Sequence, residues 1–147
     1  MASSRRRSAE NRSIFVDTSA FFALSARRDV NHDQARRVLE RAQRERIALV
    51  TTVFVVAETH ALLLSRIGRD GAARFLRASE ASALTVVHPT RDDEDRARAI
   101  VYTYADKSFS LTDALSFSVM ERLGIDVAFS FDRDFQQFGF TLAMGTP

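Results

Sequence analysis

The sequence predicts an α/β protein, a three-layer sandwich in which helices cover both sides of a central parallel sheet of about five strands. Short apolar segments alternate with helical segments of about 10–15 residues, a pattern typical of parallel strands joined by crossover helices. The strand segments are apolar almost throughout, as strands covered on both faces are. A length of 147 residues fits one domain.

Local patterns predict each element in turn. The first strand is the β-branched and aromatic run 13–17, and further strands follow at 47–51, 83–87 and 126–131, with a short fifth at 140–143. Helices are predicted from apolar residues three and four positions apart: 18–26, 31–46, 53–67, 70–80, 91–105 and 111–123. Gly68 and Gly124 end two of these helices, and 132–138 is a turn or a one-turn helix.

The chain divides into a short arm and a folded domain. Residues 1–12 are polar and basic, so we expect a disordered arm in front of a domain of residues 13–147. The arm lacks the apolar core of a secretory signal, and no segment reaches the ~20 apolar residues of a membrane span. The absence of cysteine excludes disulfides, thiol nucleophiles and cysteine-based metal sites, and it suits a cytoplasmic protein.

Basic charge is concentrated near the N-terminus. Residues 1–46 hold eleven arginines against six acids, whereas residues 47–147 hold ten lysines and arginines against thirteen acids. The basic part is able to meet a polyanion while the rest carries an acidic site. A solvated surface in an arginine-rich protein explains the same distribution equally well.

Four acids are candidates for one shared site: Asp17, Glu58, Asp113 and Asp132. Asp17 and Asp132 follow the first and fourth strands, and the carboxyl ends of parallel strands meet at the edge where ligands bind. Asp113 opens the last long helix. Glu58 has the apolar helical neighbours Phe54, Val55, Ala61 and Leu62, where a buried glutamate is costly unless it is paired or metal-bound.

Each acid also has a purely structural explanation. Asp17 and Asp132 can cap the segments that follow them, Ser110 to Asp113 fits a capping box, and Glu58 can lie on an exposed edge of its helix. A shared metal site accounts for all four placements at once, so we favour it. Carboxylates without cysteine or a nearby histidine suit Mg²⁺ or Mn²⁺ rather than zinc. Such ions serve phosphoryl chemistry, because they orient a water and neutralise charge at the phosphate.

Four short segments together resemble the PIN-domain nucleases, most closely the VapC-type toxins of bacterial toxin–antitoxin pairs. The segments are Val16 to Ala20, Glu58 in the first long apolar helix, Leu111 to Ala114 and Phe131 to Phe135. They occur in the family's order, and the resemblance covers about residues 13–143. It implies a PIN-like five-stranded parallel sheet with helices on both sides and metal-dependent cleavage of RNA.

The resemblance also implies roles for individual residues. The four acids form the metal pocket for Mg²⁺ or Mn²⁺, with Asp17 and Asp113 as principal ligands and Glu58 and Asp132 completing it directly or through water. Asp134 is expected behind the ligands or on the surface. Small polar residues beside the acids are expected to bind metal-bound waters or phosphate: Thr18, Thr112 and Ser130.

The resemblance further implies a homodimer and a cognate antitoxin, and it leaves two alternatives open. One is a PIN nuclease that processes or degrades RNA without being a toxin, and the other is a catalytically silent RNA- or protein-binding module. A signalling receiver domain is disfavoured, because His88 and Pro89 stand after the third strand where a phosphoacceptor aspartate is required. His32, His60 and His88 are expected to be structural or surface residues, and the phenylalanines are expected in the core.

Overall fold

The central sheet has five strands and is parallel throughout. The structure of the protein, a computed structural model, describes residues 12–81 and 83–144. The strands are β1 (Ser13–Val16), β2 (Ala48–Thr52), β3 (Leu84–Val87), β4 (Val127–Phe129) and β5 (Thr141–Leu142). They lie in the order β3-β2-β1-β4-β5, and each neighbouring pair is parallel. The predicted sheet is therefore confirmed.

Helices connect the strands as the sequence predicts, with bounds that differ by at most two residues at almost every end. They are α1 (Thr18–Ser25), α2 (His32–Arg44), α3 (Val53–Arg66), α4 (Arg69–Ala81), α5 (Arg91–Thr103), α6 (Leu111–Leu123) and α7 (Asp134–Phe138). None of the helices in the described ranges is long and apolar enough to cross a membrane.

Successive side chains of β1 point to opposite faces of the sheet. Phe15 faces a core formed mainly by α5, α6 and α7, whereas Ile14 and Val16 face a second core formed by α1 and α2. A smaller cluster joins α3 and α4 to α1. Helices thus cover both faces, which explains why the strands are mostly apolar and confirms the three-layer sandwich.

Most phenylalanines lie in these cores, as expected. Phe15, Phe129 and Phe135 are fully buried, and burial of each such side chain contributes roughly 1.5–3 kcal/mol. Phe117 stacks on Phe138 with ring centroids 4.5 Å apart. The exception is Phe54, which is 39% exposed on α3, so the prediction that it is a core residue is wrong.

The strand order reverses beside β1, and this reversal creates a crevice. The chain runs outward from β1 to β2 and β3, and then returns to place β4 on the other side of β1. In open α/β sheets, ligands bind outside the carboxyl ends of the strands at such a point. Asp17 and Ser130 follow β1 and β4 directly, so both lie at this crevice.

The predicted arm lies almost entirely outside the described residues, which begin at Arg12. The carbonyl oxygen of Arg12 accepts a hydrogen bond from the Ala48 amide at 3.0 Å, which extends the pairing of β1 with β2. Its guanidinium lies 3.5 Å from Glu45 Oε2. Arg12 therefore belongs to the folded domain rather than to the arm.

Candidate active site

Asp17 is the most buried of the candidate acids. The residue is 5% exposed, and its amide donates to the Phe129 carbonyl at 3.0 Å, which fixes it between β1 and β4. Its Oδ2 accepts hydrogen bonds from Ser130 Oγ at 2.9 Å and Ser19 Oγ at 3.1 Å. Burial raises the pKa of Asp17, although both serine hydroxyls oppose the shift. Asp17 is the N-cap residue of α1 but makes no full side-chain capping hydrogen bond, although the Thr18 and Ser19 amides lower its pKa.

Asp113 serves as a helix cap and also faces other acids. Its carboxylate accepts from the Ser110 amide at 3.2 Å, while its own amide donates to Ser110 Oγ at 3.0 Å, so the predicted capping box is present. Burial, followed by the negative charges of Asp17 and Asp134, raises the pKa of Asp113 to about 7. Capping is thus a true but incomplete explanation, because the cap does not require neighbouring carboxylates.

Three aspartates from two elements form a compact cluster. Asp113, Asp132 and Asp134 each offer a carboxylate oxygen, and these oxygens all lie within 4.8 Å of one another. The Asp134 amide donates to Asp132 Oδ1 at 3.1 Å, so the loop before α7 holds the Asp132 carboxylate against the backbone of Asp134. Burial and the charge of Asp132 raise the pKa of Asp134. We name Asp113, Asp132 and Asp134 the acidic cluster.

Asp134 occupies a different place from the one the sequence suggested. It was expected behind the ligands or on the surface, but it is a half-buried member of the acidic cluster itself. The reason is local, since the chain turns at Asp132 and begins α7 at Asp134, which brings the two carboxylates to the same side. No spacing rule for a strand or helix predicts that geometry.

Glu58 does not lie on a buried face. The helix α3 buries Val55, Thr59 and Leu63, and this stripe leaves Glu58 exposed together with Phe54. The argument that Glu58 is too costly to bury is therefore wrong, and the alternative of an exposed helix edge describes its position. Glu58 is also not part of the acidic cluster. Its role in the site remains a prediction.

Comparison with known proteins identifies the family. A family model described as PIN domain matches residues 14–141. The chain belongs to the PIN-domain family. The 23S rRNA-specific endonuclease VapC20 of Mycobacterium tuberculosis is 35% identical to this PIN domain over 127 residues, covering 86% of the chain and 95% of the relative. Ribonuclease VapC26 of the same organism is 25% identical over 120 residues, covering 82% and 87%.

Solved structures support the same fold for this PIN domain. The crystal structure of M. tuberculosis VapC20, described as a sarcin–ricin loop cleaving toxin, superposes with a TM-score of 0.82 and 33% identity, covering 87% of this chain and 96% of that one. VapBC2 from Rickettsia felis, bound to a DNA fragment from its promoter, gives a TM-score of 0.68 at 12% identity, covering 88% and 96%. The resemblance to PIN domains and VapC-type toxins is thereby confirmed.

The small polar residues of the PIN domain fall into different roles. Ser130 is fully buried and binds Asp17, so its hydroxyl is committed to that carboxylate. Among the described residues, Thr18 Oγ1 is the one buried side-chain oxygen or nitrogen that has no hydrogen-bond partner. Thr112 is half-buried at the start of α6, and its carbonyl accepts from Ser116 Oγ at 3.0 Å. Binding of waters or phosphate by these residues remains a prediction.

Sequence reasoning missed Ser19. Its hydroxyl donates to Asp17 and accepts the Phe131 amide at 2.9 Å, so it joins α1 to the loop after β4. The available signal was its place in the Asp17-Thr18-Ser19 triplet, directly after a strand. No histidine belongs to the acidic cluster, and the ring of His32 instead lies 2.7 Å from the Ala23 carbonyl, which confirms a structural role for that residue.

The donor set of the acidic cluster fits a hard divalent cation. All its donors are carboxylate oxygens, the ligands that Mg²⁺ and Mn²⁺ prefer, and the cluster includes no cysteine or histidine. The raised pKa values of Asp113 and Asp134 report repulsion and burial that a bound cation relieves. The PIN-domain chain can therefore hold a divalent metal at this place, with Asp17 beside it.

Proposed function

We propose that this PIN domain is a metal-dependent ribonuclease that hydrolyses RNA phosphodiester bonds, and that it is the toxin of a toxin–antitoxin pair. The observation that carries the proposal is the convergence of Asp113, Asp132 and Asp134 on one place beside Asp17. Two relatives named as ribonucleases support it, since one matches 86% of this chain at 35% identity. A soluble toxin of this kind acts in the cytoplasm, where its RNA substrates are.

The acidic cluster and Asp17 are the proposed ligands of Mg²⁺ or Mn²⁺, and Glu58 remains a candidate fourth acid. When bound, the cation lowers the pKa of a water and neutralises charge at the scissile phosphate. A carboxyl group must lose its proton to bind a cation, so the raised pKa of Asp113 couples loading of the site to pH. A water molecule attacks phosphorus in line as the P–O bond to the opposite ribose oxygen breaks; the water gives its proton to solvent, the leaving oxygen takes one up, and the products are a phosphate monoester and a hydroxyl end.

We infer a structured loop of large ribosomal RNA as the substrate class. This inference rests on VapC20, which is named as 23S rRNA-specific and described as cleaving the sarcin–ricin loop. The first test is cleavage of a mixed cellular RNA pool by the wild type, Asp17→Asn and the exposed control Glu80→Gln, each with Mg²⁺, Mn²⁺ or EDTA. Cleavage that requires metal and is lost in Asp17→Asn alone supports the proposal.

The same assay, combined with RNA binding and with growth of a bacterial host that expresses the protein, distinguishes the alternatives. RNA that is bound but never cut by the wild type favours a catalytically silent binding module. Metal-dependent cleavage without growth arrest on expression favours a PIN nuclease that is not a toxin.

An apolar groove supports the proposed antitoxin. It lies between α2 and α4, and its cavity volume is about 1360 Å³. Its lining includes Leu39, Ala42, Ile47, Phe75 and Ala78. Four exposed arginines belong to the same lining: Arg27, Arg28, Arg46 and Arg74. Within the described part of the chain these arginines form no ion pair, so the proposed occupant is an acidic amphipathic helix of the antitoxin.

An exposed apolar stripe on α3 supports the proposed homodimer. Phe54, Ala57, Ala61 and Leu64 are exposed and lie three or four residues apart, so they share one helix face. Phe54 is 39% and Leu64 48% exposed. Apolar residues grouped on one face mark an interaction surface, and twofold pairing of identical stripes buries them efficiently. A second copy of the chain is therefore the proposed partner of this stripe.

A further inference from the structure

Two serine hydroxyls converge on a single oxygen of Asp17. Ser130 Oγ lies 2.9 Å and Ser19 Oγ 3.1 Å from Asp17 Oδ2, while the two hydroxyl oxygens are 3.2 Å apart. The backbone amides of Thr18 and Ser19 also act on this carboxylate and lower its pKa. The two serine bonds are nevertheless both made to the same oxygen.

Backbone amides donate to both hydroxyl oxygens. Ser19 Oγ accepts the Phe131 amide at 2.9 Å, and Ser130 Oγ accepts the Asp132 amide at 3.0 Å. Each hydroxyl has a single hydrogen, so a serine that donates to the carboxylate does not also donate to the other serine. Hydrogen bonds to a charged acceptor are about twice as strong as neutral ones, so donation to the carboxylate is preferred over a bond between the serines.

The same pair of serines joins two parts of the candidate site. Asp17 follows β1, whereas the amides of Phe131 and Asp132 belong to the loop between β4 and α7. The serines therefore connect Asp17 to that loop through hydrogen bonds. Ser130 is fully buried, so water does not compete for its bond to Asp17.

We propose that Ser19 and Ser130 are positioning residues that hold Oδ2 of Asp17 and thereby fix both the orientation of its carboxylate and the position of the Asp132 loop beside it. The proposal rests on the proposed metal-dependent function. Residues that orient a ligand in this way typically change metal affinity by about 10–100-fold.

The test measures Mn²⁺ affinity by calorimetry for the wild type, Ser19→Ala and Ser130→Ala, together with RNA cleavage across a Mn²⁺ titration. Ser118→Ala is the matched control, because Ser118 is also a buried serine but donates to the Asp93 carbonyl at 2.9 Å. We expect about 10–100-fold weaker Mn²⁺ binding in both site variants, cleavage restored by excess Mn²⁺, and wild-type affinity in the control. If Ser130→Ala does not fold, the half-buried Ser19 carries the test.

Two results contradict the proposal in different ways. Wild-type Mn²⁺ affinity in folded Ser19→Ala overturns the positioning role while leaving the ribonuclease intact. A wild-type protein that neither binds Mn²⁺ nor cleaves RNA overturns the proposed function, and the positioning role with it.

Discussion

Arg122 binds Asp93 through two hydrogen bonds of 2.8 Å, one to each carboxylate oxygen. Asp93 is 3% exposed and also completes the capping box at the start of α5 with Thr90, so the pair fastens α6 to α5. The guanidinium holds the pKa of Asp93 below its usual range. This pair lies outside the acidic cluster. It stabilises the packing of α5 against α6, the helix that includes Asp113.

Removal of Arg122 is expected to destabilise the protein. Arg122→Met leaves a buried charge without its partner, and we predict a loss of about 2–3 kcal/mol in the free energy of unfolding, reduced because the Arg122 side chain is 42% exposed. The matched control is Arg96→Met, whose pair with Glu121 lies on the surface and contributes about 0–1 kcal/mol. Urea unfolding measures both, and equal losses in the two variants contradict the assignment.

Stability of the metal-free protein is expected to fall as pH rises from about 4 to about 7. The pKa of Asp113 rises from its usual 3.8 to about 7 on folding, so in this window the folded state binds more protons than the unfolded state. The free energy of unfolding changes with pH in proportion to the number of protons bound by the unfolded state minus the number bound by the folded state. Since the folded state binds more protons here, stability decreases as pH rises. Asp17 and Asp134 shift in the same direction.

Thermal unfolding in EDTA at several pH values measures this dependence. Asp113→Asn keeps a capping side chain and is expected to flatten the slope, while Mg²⁺ or Mn²⁺ is expected to stabilise the wild type most at neutral pH. Metal-free wild type that gains stability between pH 5 and pH 7 contradicts the account.

Glu58 lies outside the acidic cluster, and its role in the site is a prediction. If it contributes to the site, Glu58→Gln lowers RNA cleavage by about tenfold or more. No change in unfolding temperature is expected, since the residue is exposed and its side chain is not packed in a core. Glu40→Gln, also exposed on a helix, is the control. Full activity of Glu58→Gln shows that Glu58 is a surface residue without a role in cleavage.

The apolar stripe of α3 is expected to hold two copies together. Leu64→Glu places a charge in the stripe, so we predict a shift from dimer to monomer in light scattering with little change in stability. Val30→Glu is the control, since Val30 is 92% exposed in the loop before α2. A wild type that is monomeric at high concentration contradicts the homodimer directly.

The arginines of the groove are expected to determine antitoxin binding. Arg46→Glu and Arg74→Glu together reverse charge beside the groove, so co-expression with the product of the adjacent small gene is predicted to leave the toxin unneutralised. Arg69→Glu, which is exposed outside the groove lining, is expected to be neutralised like the wild type. Equal neutralisation of all three proteins argues for a different binding surface.

The fold was predictable because its signals are local. Apolar strands, helix periodicity and the glycines after α3 and α6 are all read along the chain, and parallel order then places Asp17 and Asp132 at the same edge. The site was predictable only in part. The helix α3 is apolar on nearly every side, so periodicity does not tell which stripe faces the sheet, and only the argument from burial of Glu58 was wrong. Asp134 and Ser19 depend on a turn and on contacts across the sheet, which no local pattern specifies.

The most direct test of the acidic cluster is the mapping of cuts in 23S rRNA by primer extension, with wild type and Asp113→Asn compared in Mg²⁺, Mn²⁺ and EDTA. We predict a discrete cut by the wild type with metal and no cut in EDTA. In Asp113→Asn the cut is expected to be at least about a hundredfold weaker, because loss of one group that stabilises charge in the transition state typically lowers the rate by about that factor. An identical cut in Asp113→Asn, or one that persists in EDTA, contradicts a carboxylate-based metal nuclease.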